Sequence, residues 1–194
     1  MKNKGWLIGI GVLLLIGLFI MNTYNGLVGK DENINGQWAQ VEAAYQRRAD
    51  LIPNLVNTVK GYADFEQETL TQVIEARSKA TSVQVNADDL SPEAIAQFQK
   101  AQEGLSGALS RLLVSIERYP DLKANQNFRD LQTELTNTEN KIAFERNKFN
   151  RAVQEFNGKI RRFPTVILAG MLGFEKHGYF ESDEGAEKAP EVQF

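Results

Sequence analysis

The stretch that decides the fold runs from Trp38 to Val73 and reads WAQVEAAYQRRADLIPNLVNTVKGYADFEQETLTQV. Every seventh residue of it belongs to one column, in which all but the glutamate are large and apolar: Trp38, Tyr45, Ile52, Val59, Glu66 and Val73. A seven-residue repeat sustained over about five heptads predicts a long helix that packs along a neighbouring helix. We therefore expect a first long helix from about Glu32 to Ala80.

Pro53 lies inside this predicted helix, where proline removes a backbone donor and clashes with the preceding turn. The heptad register nevertheless passes Pro53 without a shift, from Ile52 to Val59. A loop would normally break that phase, so we expect a kinked but continuous helix.

Two further helices are expected to complete an all-α antiparallel bundle with coiled-coil-like packing. After a connection at 83–90, Ser91 and Pro92 give the cap and first-turn signals of a second helix, which Pro120 ends. A tight turn there makes the third helix, at about 122–162, antiparallel to the second. Its apolar column is Phe128, Leu135, Ile142, Phe149, Phe156 and Phe163. The apolar segment that follows, at 165–174, is too short to span a bilayer.

The lengths of the predicted helices lead to a prediction about assembly. At about 1.5 Å per residue they measure about 74, 43 and 62 Å. The second helix is then too short to return to the start of the first, whose lower part is left without a partner in its own chain. An apolar stripe on an isolated stalk is unfavourable in water. Another copy of the chain, a partner protein or lipid is expected to cover four residues, and we predict that they form an oligomer interface: Ile34, Trp38, Val41 and Tyr45.

The N-terminal part is predicted to be a retained membrane anchor over residues 5–28, after a short basic start at 1–4. No charged or strongly polar residue occurs at 5–21, and the run reaches the roughly 20 residues that a span requires. A cleaved signal peptide is the alternative, but no small-x-small cleavage site follows. Four residues are assigned to the anchor, an aromatic pair at interface depth and a glycine pair spaced for close helix contact: Trp6, Tyr24, Gly5 and Gly9.

The charges beside the anchor predict its orientation. Lys2 and Lys4 precede it, whereas Lys30 on the other side is offset by two acidic residues. The positive-inside rule therefore places the N-terminus in the cytoplasm and the main domain, residues 29–180, outside it. The acidic tail at 181–194 is expected to be disordered.

The composition excludes several classes of site. The chain of 194 residues has no cysteine, which rules out disulfides, thiolate metal sites and a cysteine nucleophile. Its net charge of -3 provides no basic field for nucleic acid. His177 is the one histidine, so no histidine-based metal site or triad can form, and we expect a plain solvated residue there. Neither a phosphate-binding loop nor a nucleophile elbow occurs in the sequence. We expect no catalytic site, metal or cofactor.

Several polar residues of the helices allow two interpretations each. Three of them fall in or beside the apolar columns, either as an ion or proton site or, as we favour, as a polar layer that fixes helix register: Glu66, Glu139 and Arg146. Arg47 and Arg48 are interpreted as a solvated pair rather than a lipid-headgroup site. The third helix carries an asparagine stripe that either flanks the seam or contacts another subunit: Asn140, Asn147, Asn150 and Asn157.

Three segments resemble the LemA family of bacterial membrane proteins: YNGLV at 24–28, QRRADLIPNLV at 46–56 and VKGYA at 59–63. YPDLKA at 119–124 agrees with that family, as do the Phe-Asn pairs at 149–150 and 156–157. The resemblance continues to about Phe180. Phe65 stands near a position where the family often has histidine. The resemblance implies a single-pass anchor in the bacterial cytoplasmic membrane, an antiparallel helical bundle and no established catalytic activity. Some relatives are associated with shaping internal membranes.

These observations favour a structural protein: a non-enzymatic, membrane-anchored bundle that self-associates and acts as a scaffold in the bacterial cell envelope. The alternative is a sensor or regulator that transmits a signal through its first helix. The expected partners are the lipid bilayer, further copies of the chain and envelope proteins, with no nucleic acid.

Overall fold

The computed structural model describes residues 4–61 and 66–181. These residues form six helices and no strand: α1 (Lys4–Lys60), α2 (Gln67–Ser82), α3 (Pro92–Ile116), α4 (Pro120–Ala124), α5 (Gln126–Ile160) and α6 (Thr165–Met171). The predicted all-α fold, an apolar N-terminal helix followed by an antiparallel bundle, is confirmed. Lys2 and residues 182–194 of the predicted acidic tail lie outside the described residues, and the four-part division of the chain stays a prediction.

The four long helices run alternately up and down. Two ion pairs show that α5 is antiparallel to α1, since Lys30 contacts Glu155 at 2.8 Å and, higher up, Arg47 contacts Glu134 at 2.9 Å. Along this pair of helices the apolar columns face each other, which excludes water from the seam. α3 begins with the predicted cap, because Ser91 Oγ accepts from the Ala94 backbone N–H at 3.4 Å.

The first helix ends earlier than predicted. α1 is continuous through Pro53, as expected, but it ends at Lys60, and the chain has reversed when α2 begins at Gln67. Arg77 of α2 donates from Nε to the Ala49 carbonyl oxygen at 2.7 Å, so α2 runs back beside α1. The heptad column could not reveal this reversal, because two antiparallel helices can share the phase of one long helix.

This reversal overturns the predicted oligomer interface. The first helix is shorter than its predicted length, so the helices end at other levels than those expected. The four proposed interface residues are all buried within their own chain, with exposures of 0, 0, 1 and 6% for Ile34, Trp38, Val41 and Tyr45. They belong to a core that α5 and the C-terminal region complete.

The interior of the bundle divides into two clusters. The proximal core, nearer the anchor, is formed by α1, α3, α5 and the C-terminal region, and includes Leu27, Trp38, Phe98, Phe149, Phe156 and Phe180. The distal core lies at the other end, is largely aliphatic and includes Ile52, Leu55, Val59, Leu70, Val73, Leu105 and Leu112. Arg48 is buried between them, with 1% of its surface exposed.

Within the described part of the chain, α1 is the one helix long and apolar enough to cross a membrane, judged by length and composition. Its residues 5–22 are exposed apart from a half-buried Gly11, and the first buried residues are Thr23 and Leu27. One unbroken helix therefore supplies both the candidate span and a wall of the bundle.

Candidate functional site

The most elaborate polar site in the bundle holds an extended segment, residues 174–181, which we call the strap. α6 ends in a reversal at Gly173, whose φ of +78° lies in the left-handed region that favours glycine. The Phe174 N–H donates to the Ala169 carbonyl oxygen at 3.0 Å across this turn, as in a Schellman cap. The chain then runs along the bundle between α3 and α5.

Two asparagines of α5 hold the backbone of the strap. Asn157 donates from Nδ2 to the His177 carbonyl at 2.9 Å and accepts from the His177 N–H at 3.1 Å. Asn150 repeats this arrangement with Phe180, at 2.8 and 2.9 Å. A side-chain amide presents a donor and an acceptor side by side, as a neighbouring β-strand would. The two asparagines, seven residues apart on α5, therefore act as two rungs of a ladder.

The other side of the strap is bound by α3 and the loop before it. The Glu181 N–H donates to Gln99 Oε1 at 3.0 Å, and Gln99 Nε2 donates back to the Glu181 carbonyl at 3.3 Å. The Gly178 N–H donates to the Leu90 carbonyl at 2.8 Å. A β-carbon at Gly178 would lie 2.7 Å from the Pro92 Cα, so the close approach of strap and helix requires glycine.

An aromatic pocket receives the Phe180 side chain, which is 4% exposed. Its ring stacks on Trp38 with centroids 6.0 Å apart and an interplanar angle of 16°, and it meets the Phe149 ring edge-on at 5.6 Å. The Arg146 guanidinium covers the outer face, with Cζ 5.0 Å from the ring centroid. Arg146 also donates from Nη2 to the Glu181 carbonyl at 2.6 Å. This pocket fixes the end of the strap against the centre of the proximal core.

His177 is not the solvated residue that the sequence suggested. Its Nε2 lies 2.6 Å from Asp31 Oδ1 of α1, and its ring centroid is 5.0 Å from that of Phe156. The prediction failed because the polar neighbours of His177 in sequence concealed a contact across the bundle. The strap thus touches three helices.

The arrangement binds a peptide in extended form and is suited to recognition. Most of its hydrogen bonds go to backbone groups, so they fix the course of a chain without reading its sequence. The side chains at positions 177 and 180 supply specificity through a carboxylate and an aromatic pocket. In this molecule the bound peptide is the protein's own C-terminal region.

The predicted polar layer of three residues does not exist as one layer. Glu66 pairs with Arg118 at the end of the bundle farthest from the anchor, at 2.8 Å. Glu139 pairs with Arg48 at 2.8 Å, and Arg146 lies on the strap. The prediction failed because Glu66 lies at the start of α2 and not on the first helix. Its position in the heptad column therefore does not give its height along the bundle.

The buried hydrogen-bond network of Arg48 was not predicted from the sequence. Its Nη1 donates to Ser106 Oγ and Glu139 Oε1, each at 2.8 Å, and its Nη2 donates to Gln102 Oε1 at 2.7 Å. The Tyr45 ring lies 5.0 Å from its Cζ. The spacing could have revealed it, because Arg48 comes three residues after Tyr45 and four before Ile52, on the buried face of α1.

The solvated-pair interpretation is therefore wrong for Arg48, although Arg47 is exposed, with 67% of its side chain accessible.

The asparagine stripe also separates into two functions. Asn147 donates to the Ala143 carbonyl of its own helix, whereas Asn150 and Asn157 hold the strap. Their position directly after Phe149 and Phe156 was the signal available in the sequence.

The predicted anchor residues lie on the exposed part of α1. Trp6 is 64% exposed, and β-carbons built at Gly5 and Gly9 would meet no heavy atom within 4 Å. Tyr24 is partly covered, with its ring centroid 6.0 Å from that of Phe174 at the start of the strap. The structure places Tyr24 at the boundary between exposed helix and bundle.

The chain is similar to known proteins over most of its length. A sequence model of the LemA family matches residues 37–194. Protein LemA of Metamycoplasma hominis is 29% identical over 89% of the chain and 76% of its own length. Magnetosome protein MamQ of Magnetospirillum gryphiswaldense is 26% identical over 90% of the chain and 71% of its own length. Magnetosome protein MamQ 1 of Paramagnetospirillum magneticum is 25% identical, with 89% and 69% covered.

Proposed function

Because the chain belongs to the LemA family, we propose that it is a non-enzymatic, membrane-anchored scaffold whose copies associate in the plane of the membrane. The observation that carries the proposal is the continuity of α1 from Lys4 to Lys60. Its first part is exposed and apolar, as a span requires, and the rest is built into both cores. Such a helix joins the membrane to the far end of the bundle without a hinge.

The buried polar groups support a structural role. Arg48 joins α1 to α3 and α5, while Asn150 and Asn157 hold the strap. Each of these groups is satisfied largely by other parts of the same chain. Their geometry rigidifies the bundle, which suits a protein that presents fixed surfaces to envelope partners and to the bilayer.

Self-association is assigned to the anchor, because the stripe first proposed for it is internal. Gly5 and Gly9 lie on one face of α1, and the space outside both is open. Glycines four residues apart let two helix backbones approach closely within a bilayer. Confinement to one membrane also raises the effective concentration of the copies.

The test compares two glycine substitutions in the detergent-solubilised full-length protein. Gly9→Leu fills the proposed contact face, whereas Gly11→Leu, about 200° further round the helix, adds the same bulk on the opposite side. Light scattering should show assembled wild type, an assembled Gly11→Leu variant and a monomeric Gly9→Leu variant, all with equal helix content by circular dichroism. A monomeric wild type would refute self-association. An assembled Gly9→Leu variant would refute the glycine face.

We further propose that the bundle lies on the extracytoplasmic side of the bacterial cytoplasmic membrane, on the strength of Lys2 and Lys4. The absence of cysteine makes the test direct. Val114 is 72% exposed near the far end of α3, so Val114→Cys provides a single reactive thiol. A membrane-impermeant maleimide should label it in intact spheroplasts, and labelling only after lysis would refute this orientation.

One observation favours the alternative, a sensor or regulator that signals through α1. The same helix carries the candidate span and Arg48, so a rotation of the span would move a side chain bonded to two other helices. Inserting two alanines between Met21 and Asn22 rotates the span by about 200° relative to the bundle. A changed hydrogen-exchange rate around Ser106 and Glu139 would support the sensor, and unchanged rates would support the scaffold.

A further inference from the structure

A patch of apolar side chains at the anchor end of the bundle is left open to solvent. The patch, which we call the foot, comprises α6 residues and their neighbours, with exposures of 81, 45, 56, 79 and 40% for Phe163, Val166, Ile167, Met171 and Leu172. Thr165 and Ala169 on the opposite side of α6 are buried. α6 therefore exposes its more apolar face and turns the less apolar one to the bundle.

The foot lies where α1 leaves the bundle. Ala169 belongs to the same core cluster as Leu27, and Phe174 places its ring 6.0 Å from that of Tyr24. The exposed part of α1 ends at Asn22, directly before these contacts begin. A surface at this level is adjacent to whatever surrounds the exposed part of α1.

The length of that exposed part determines how deep the foot lies. Residues 5–22 number 18, so at about 1.5 Å per residue they measure about 27 Å. The hydrocarbon core of a bilayer is about 30 Å thick. The span must therefore continue to about Tyr24 or Gly26, which brings α6 to the boundary between lipid chains and headgroups.

The basic residues that precede the foot in sequence suit that position. Lys159, Arg161 and Arg162 are exposed and immediately precede Phe163. A helix that lies in the membrane interface combines a buried apolar face with basic residues at headgroup level. Lysine and arginine near the surface of an anionic membrane each contribute about 1 kcal/mol of binding free energy.

We propose that the foot is a second membrane contact, which inserts into the interface of the leaflet from which α1 emerges. The inference rests on the proposed anchoring role of α1. A single span allows the bundle to swivel about the axis of α1, whereas two contacts on one bilayer fix its rotation and tilt. The foot thus determines which faces of α3 and α5 point along the membrane and which point away from it.

The test measures depth with nitroxide labels on single cysteines in the full-length protein, reconstituted in vesicles of zwitterionic and anionic phospholipids. Because the chain has no cysteine, each label is introduced alone, at Leu13 in the span, at Ile167 or Met171 in the foot, or at Val114. All four side chains are exposed, so the label needs no space in the core. Collision rates with oxygen and with a water-soluble nickel chelate report lipid and water exposure respectively.

The labels at Ile167 and Met171 should collide more frequently with oxygen than with the nickel chelate, as the Leu13 label should. The Val114 label should show the reverse. An aqueous Leu13 label would refute the anchor and hence the proposed function. A Leu13 label in lipid together with aqueous labels at Ile167 and Met171 would overturn the foot alone. Foot labels shielded from both reagents would show that protein covers this surface, and would also overturn the inference.

Discussion

The two cores of the bundle differ in composition and in how they are closed. The distal core lies among α1, α2, α3 and α5 and is mainly aliphatic. The proximal core contains Trp38, Phe98, Phe149, Phe156 and Phe180, and the strap closes it because α2 ends at Ser82. Four helices can enclose an aliphatic interior by themselves. Where only three are present, large aromatic side chains and an extended segment fill the space of the fourth.

The largest expected effect is that of Phe149→Ala in the proximal core. Phe149 is fully buried and contacts both Trp38 and Phe180. Removing a buried phenylalanine costs about 3–5 kcal/mol of the free energy of unfolding. Urea unfolding of the full-length protein in mild detergent, followed by circular dichroism, measures the change. An unchanged midpoint would show that Phe149 does not carry the proximal core.

Leu112→Ala is the matched substitution in the distal core, where Leu112 is also fully buried. It should cost about 2–5 kcal/mol without affecting the strap. Phe149→Ala should in addition speed hydrogen exchange of the strap amides under native conditions, because it removes one wall of the Phe180 pocket. Equal strap protection in both variants would break the comparison between the two cores.

The sequence allowed the helices to be predicted better than their arrangement. The heptad column on α5 correctly identified buried residues such as Phe149, because local periodicity records which face of a helix is apolar. Its last member, Phe163, lies beyond the end of α5 at Ile160 and is exposed. The column from Trp38 to Val73 could not show that the chain reverses after Lys60, since antiparallel neighbours share the repeat. The reversal decides whether the stripe around Trp38 is bare or covered, so the predicted oligomer interface was wrong.

The strap was beyond such reasoning for a different reason. Residues 174–181 have no repeat, and their bonds to Asn150, Asn157 and Gln99 join segments far apart in sequence. A short polar stretch resembles a solvated loop until the helices that hold it are placed. His177 and Arg146 were misinterpreted for that reason, whereas the apolar span and the cap at Ser91 depend on neighbours in sequence and were identified.

The strap itself is tested by Asn150→Ala. This substitution removes both hydrogen bonds to Phe180 and leaves a buried N–H and carbonyl without their partner. We expect a loss of about 2–3 kcal/mol and faster exchange of the Phe180 amide. Asn147→Ala is the control, since Asn147 is exposed and donates to the Ala143 carbonyl of its own helix. Similar losses for the two variants would contradict a specific role for the strap.

The boundary between the cores is tested by two glutamates of α5 that pair with neighbouring arginines of α1. Glu139 pairs with the buried Arg48, whereas Glu134 pairs with Arg47, and that second pair is exposed. Glu139→Gln should cost about 1–2 kcal/mol, because bonds to a buried charge are stronger than average while Ser106 and Gln102 remain. Glu134→Gln should change stability by less than about 0.5 kcal/mol. If thermal unfolding ranks the two variants in the opposite order, the bonds of Arg48 to α3 and α5 do not stabilise the bundle as described.

The smallest expected effects concern two carboxylates beside the proximal core, which should respond to pH in opposite directions. The surrounding protein partly desolvates the Glu42 carboxylate and raises its pKa above the ordinary value. The Lys141 ammonium, 2.7 Å from Glu145 Oε1, lowers the pKa of Glu145 despite some opposing desolvation. The folded protein therefore holds the Glu42 proton more readily than the unfolded chain does, and the Glu145 proton less readily.

The stabilising contribution of Glu145 is present above its unfolded pKa and is lost as the pH falls through its folded pKa, below 4.5. Ionised Glu42 instead costs stability, and this cost develops as the pH rises from its unfolded pKa through the raised folded value. Glu42→Gln should therefore gain stability relative to wild type as the pH rises above the ordinary pKa of glutamate, and Glu145→Gln should lose stability relative to wild type over a rise in pH that begins below that pKa. The urea midpoint of each variant minus that of wild type, plotted against pH, should rise for Glu42→Gln and fall for Glu145→Gln. Slopes of the same sign would mean that one carboxylate has a different environment from the one described, and Lys141→Met would identify Glu145 if it flattens that slope.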